Sequence, residues 1–100
     1  MDYKTIAVYK TDGTRVELDV AILMENLKTA EAKRKFAIDV ARQAADVRSK
    51  LYLATKFGNH PGLEAVLGKI PSREEMPDYV KSLEGLQWFY EQLTGDHLSL

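Results

Sequence analysis

The hydrophobic pattern of the chain changes period once, near Asp19. Before it, residues 3–20 alternate apolar and polar around Thr11-Asp12-Gly13, which predicts a β-hairpin. Two loop lengths are possible, and the pattern selects between them. A two-residue loop at Asp12-Gly13 would pair Tyr9 with Val16 and leave Ile6 and Val8 on the opposite face. A three-residue loop, with Gly13 in the left-handed position of a bulge, pairs Val8 with Val16 and Ile6 with Leu18. All four then share one face, so the three-residue loop is predicted, with Ala7, Tyr9, Glu17 and Asp19 on the other face. Two strands alone are marginal in water, so the apolar face requires cover.

From Thr14 to Phe57 there is no glycine or proline. Asp19 is a suitable N-cap for a helix over about 20–28. A helix continuing from there to Phe57 would exceed about 35 residues and about 50 Å, more than a small domain accommodates. Thr29 offers a second N-cap, with Glu31 well placed in the following turn, so a break and a separate helix over 30–57 are predicted. Gly58 or Asn59 can end that helix in a left-handed cap. A short helix over about 63–68 follows. Ser72 and Glu75 then stand at capping-box spacing for a single turn. The last helix is predicted over 77–94, with Pro77 as its first residue and Gly95 just past its end. The expected fold is α+β: one domain over residues 1–100, an N-terminal hairpin packed on a small helical bundle with one long central helix.

On a helical wheel, Phe36, Val40, Ala44, Val47, Leu51 and Ala54 form a core stripe, widened by Ala37 and Ala41. Glu31, Lys35, Asp39, Arg42, Asp46 and Lys50 occupy the opposite face, where signs alternate at four-residue spacing. Charge sharpens this picture. The chain of 100 residues carries a net charge of −1, but residues 28–56 hold eight bases against three acids. Lys33, Arg34 and Arg48 lack such partners and border the core face, where long stems can cover apolar surface. With Lys35 and Lys56 they are the candidate nucleic-acid contacts, although interleaved acids oppose a phosphate-binding role. The alanines at 30, 37, 41, 44 and 45 make the central helix slim, which suits close packing on another helix or pairing with a second copy.

In the last helix Met76, Tyr79, Leu83, Leu86, Tyr90 and Leu93 make the apolar stripe, with Val80 and Phe89 at its margins. Trp88 falls on the far side, beside Lys81 and Gly85. A tryptophan there is either covered by a loop or the hairpin or available as a partner anchor, with Lys81 and Gly85 beside it.

Candidate chemistry is sparse. There is no cysteine, which removes disulfides and thiolate catalysis. His60 lies in a glycine-flanked loop, and His97 near a terminus expected to fray. Neither stands at metal-ligand spacing, and no phosphate-binding or nucleophile motif occurs, so no cofactor is expected. No signal peptide and no membrane span are expected, and the composition suits a cytoplasmic protein. The expected function is a non-enzymatic protein-interaction module that associates with itself through the central helix. Nucleic-acid binding is the alternative, and a small enzyme or ligand-binder using the His60 loop is a third possibility.

Overall fold

Strand β1 (Thr5–Tyr9) pairs antiparallel with β2 (Arg15–Asp19), and Val8 faces Val16 as Ile6 faces Leu18. The loop has three residues. Gly13 takes φ +89°, its N–H donates to the Lys10 carbonyl at 2.9 Å, and the Lys10 N–H donates to Thr14 O. The computed structural model describes residues 2–58 and 60–100. Asn59, one of the two residues proposed to cap the long helix, lies outside them.

Four helices follow: α1 (Val20–Asn26), α2 (Ala30–Phe57), α3 (Pro61–Leu67) and α4 (Met76–Thr94). Local capping sets their starts. Asp19 Oδ1 accepts from the Ile22 N–H at 3.1 Å, and Thr29 Oγ1 accepts from the Ala32 N–H at 3.0 Å. The chain therefore breaks between α1 and α2. At 28 residues α2 runs the length of the molecule, whose extents are 43 × 21 × 20 Å. Gly58 terminates it at φ +62°. His60 caps α3, and Pro61 in its first turn starts that helix earlier than the sequence pattern suggests. A single turn from Ser72 leads directly into α4.

The core lies where α2 crosses α4 and the hairpin. Ala37, Val40, Ala44 and Val47 of α2 meet Tyr79, Leu86, Phe89 and Leu93 of α4, with Ile6 and Tyr9 of β1. Five expectations are corrected here. Ala7 and Tyr9, placed on the outward face of the hairpin, are buried, and the Tyr9 ring stacks on Tyr79 at 3.9 Å. The cause is that α4 packs directly against β1, and the Ser82 hydroxyl donates to the Ala7 carbonyl at 2.6 Å. Accordingly the buried stripe of α4 is rotated. Ser82, Gly85 and Phe89 lie inside it, while Leu83 and Tyr90 are only half-buried.

Lys50, expected on the wet face of α2, is only 5% exposed and pairs with Asp46 at 3.1 Å. Each four-residue step along an α-helix advances about 40° around the axis, so a row that starts opposite the core at Arg42 reaches the core edge at Lys50. Along the same row Arg42 turns back to Asp39 at 3.9 Å instead of forward to Asp46. Finally, the segment beyond α4 does not simply fray. Gly95 reverses the chain at φ +77°, the Asp96 N–H donates to Thr94 Oγ1, and Leu98 returns to the core.

Candidate functional site

A concavity follows from that returning tail. It is a groove of about 1030 Å³ between α2 and the end of α4 with the segment behind it. Its α2 side is floored by Ala30, Ala37, Ala41 and Ala45, and its other wall is Tyr90, Leu93 and Leu98. Alanine has almost no side chain to fill the space along this side of the helix. Ile38 stands at the mouth, 55% exposed. It lies three residues before Ala41 and seven before Ala45, so α2 carries a second apolar stripe between its core stripe and its charged face. That signal is present in the sequence, but it is masked because alanine at 41 serves both sides.

The rim is charged. Lys33, Arg34 and Arg42 edge it from α2, and Asp96 from the tail. Among the described residues neither Lys33 nor Arg34 has an ion-pair partner, and the Arg42–Asp39 contact is long and exposed. Such a pair contributes little in water. The other bases singled out in the sequence lie elsewhere. Lys35 pairs with Glu31 at 3.4 Å. Arg48 edges a separate depression with Ser49, Tyr52 and Leu53. Lys56 has its ammonium 5.9 Å from the Tyr52 ring. From Arg34 the helix rises about 21 Å to Arg48 and about 33 Å to Lys56. The five bases thus form no single patch.

Of Trp88, Lys81 and Gly85, the fold brings the last two to one cleft and sets Trp88 outside it, across Tyr3. Gly85 is buried, and a side chain added there would first meet Tyr3 and Ile6. Close approach at this glycine is made within the chain. Trp88 is half-buried, tilted against Tyr3 with ring centroids 5.3 Å apart and against Phe89 at 6.2 Å. Lys81 stays exposed and, with Tyr3, Thr5 and Arg15, edges a shallow cleft of about 340 Å³ over Gly85. His60 commits its Nδ1 to the Leu63 N–H at 3.4 Å as the cap of α3.

A second group of polar side chains lies inside the molecule. The Tyr79 hydroxyl is buried without a hydrogen-bond partner among the described residues, and burial pushes its pKa up to about 12, with the neighbouring Tyr9, Glu75 and Asp46 adding to the rise. Burial also raises Tyr9, although its hydroxyl accepts from Arg15 Nη1 at 3.1 Å. Both phenols stay protonated at neutral pH, and they make the stacked contact that locks β1 to α4.

Compared with known proteins, the chain has no matching family model, and no curated protein or solved structure matches it. No helix among the described residues is long and apolar enough to cross a membrane.

Proposed function

We propose that the chain is a non-enzymatic protein-interaction module that receives a helix of its partner in the groove on the alanine side of α2. The observation that carries this reading is Ile38. A singly exposed apolar residue is ordinary on a protein surface. Here it stands at the mouth of a concave apolar floor with a charged rim, which is the anatomy of an interface: an apolar centre surrounded by polar groups. Alanines at 41 and 45 let a second helix approach closely, toward the short end of the roughly 8–10 Å range of helix–helix distances.

The nucleic-acid alternative has less support, because the bases are dispersed and Lys35 is paired with Glu31. The proposal is tested by placing a photo-crosslinking residue at position 38 or, as a control, at Ile22, which is equally exposed on α1. Position 38 is expected to give a discrete adduct in the native extract. Excess wild-type chain should compete it away and excess I38E chain should not. Equal adducts from both positions, or none from either, overturn the reading.

A further inference from the structure

Granted that the groove receives a helix, its rim specifies the charge of that helix. We infer that the occupant is an acidic amphipathic helix of a different protein, and not a second copy of this chain. Three observations converge. The groove edge on α2 carries Lys33, Arg34 and Arg42, the last turned to Asp39, against one acidic side chain, Asp96, among the lining residues of the opposite wall. The first two bases have no ion-pair partner among the described residues. They are therefore unneutralised cations beside an apolar floor. Along α2 itself bases outnumber acids, since residues 28–56 hold eight bases and three acids.

A second copy fits this surface poorly. A homodimer closed by a two-fold axis presents the same patch to itself, so α2 would pack on α2, parallel when the axis runs along the helix and antiparallel when it runs across it. A parallel pair sets Lys33, Arg34 and Arg42 against their own copies, and an antiparallel pair lays one α2, with eight bases and three acids over residues 28–56, along another, Asp39 and Asp46 offsetting only part of that charge. Like charges juxtaposed in an interface are repulsive and select against that partner.

Nucleic acid fits poorly for the opposite reason. It requires bases along its path, whereas the floor of the groove is alanine, leucine and isoleucine. A helix with apolar residues at i, i+3, i+4 and i+7 matches the floor. Glutamates flanking that stripe reach Lys33 and Arg34. From Ala30 to Ala45 the floor extends about 22 Å, room for about four helical turns.

The test uses the whole chain, isotopically labelled, and designed helical peptides of about 15 residues with one common apolar face. One peptide carries glutamate on its flanks and the other carries glutamine. The acidic peptide is expected to shift the resonances of Ile38, Ala41, Ala45 and Tyr90. It should bind roughly fivefold or more tightly than the neutral one, the scale of two or three exposed ion pairs. That advantage should vanish in K33E/R34E and shrink between about 50 mM and about 0.5 M salt. Equal binding of both peptides at the groove overturns the charge inference and leaves the interaction module standing. So does a concentration-dependent dimer, seen by light scattering, that I38E abolishes. Perturbation of Lys33 and Arg34 by single-stranded RNA but by neither peptide overturns both, as does a monomer that binds nothing at Ile38.

Discussion

The Ser82 hydroxyl donates to the Ala7 carbonyl across 75 residues of chain, at 2.6 Å and out of contact with water. Residues 4, 6, 8 and 10 of the first strand direct their backbone groups toward β2, so Ala7 belongs to the outer edge of the hairpin. A serine on α4 thus closes the edge of a strand that the sequence leaves open. S82A should cost about 1–3 kcal/mol, because it leaves a buried carbonyl without a donor. Urea denaturation followed by circular dichroism measures this, and an unchanged midpoint would refute it.

Gly85 sits in mid-helix, where glycine costs about 1 kcal/mol relative to alanine. A Cβ at this position would lie 3.6 Å from Tyr3 Cδ2 and 3.7 Å from Ile6 Cγ2, ordinary contact distances. G85A is therefore expected to raise stability by about 0.5–1 kcal/mol without moving Tyr3. G85L would push Tyr3 off Trp88, which a red shift of tryptophan emission reports. A destabilised G85A would mean that the glycine is held for room it does not have here.

Tyr79 provides an alkaline test. Its folded pKa, about 12, lies above the ordinary phenol value of 10.0. A group with a raised folded pKa contributes its full stability below the unfolded value and loses it as pH climbs through the folded one. Stability should therefore fall from about pH 10 upward, and Y79F should flatten part of that decline, Tyr9 supplying the remainder. Below that range Y79F should be neutral or up to about 1 kcal/mol stabilising, since it removes a buried hydroxyl that has no partner. A marked loss at neutral pH would contradict the assignment.

Glu75 provides the acid counterpart. The Ser72 N–H donates to its Oε1 at 3.1 Å and the Lys69 ammonium stands 3.5 Å away, and these hold the carboxyl below its ordinary 4.5. The depressed value means that the contribution is complete above about pH 5 and is lost as pH falls through the folded pKa. E75Q should remove that portion of the acid-induced decline, as read from thermal midpoints between about pH 3 and about pH 6. An unchanged acid slope would count against the contact.

Much of the fold is legible in the sequence because its determinants are local. The hairpin register follows from the alternation of Ile6, Val8, Val16 and Leu18 about a glycine that adopts φ +89°. The break at Thr29 follows from one hydroxyl and the N–H three residues ahead. What is not legible is which surfaces meet. Ser82 and Gly85 register as polar or neutral on a wheel, yet their smallness is what admits β1 and Tyr3 to that flank of α4. Lys50 carries a charge that no periodicity assigns to the interior. The groove is hidden for a similar reason: its far wall exists only because the chain turns at Gly95 and brings Leu98 back beside Ala37. Lys33 and Arg34 could be singled out from charge alone, but not the hollow they edge.

The bond from Ser82 to Ala7 also orders events in time. The hairpin leaves a ribosome before the helix that shields its outer strand. Contacts between such distant segments form late, after the entropy of closing the intervening chain has been met. Throughout that interval β1 presents unpaired carbonyls and amides, the feature by which strands recruit one another. A nascent chain stalled before α4 is thus the form of this protein most prone to stick, and the one for which a chaperone would matter most.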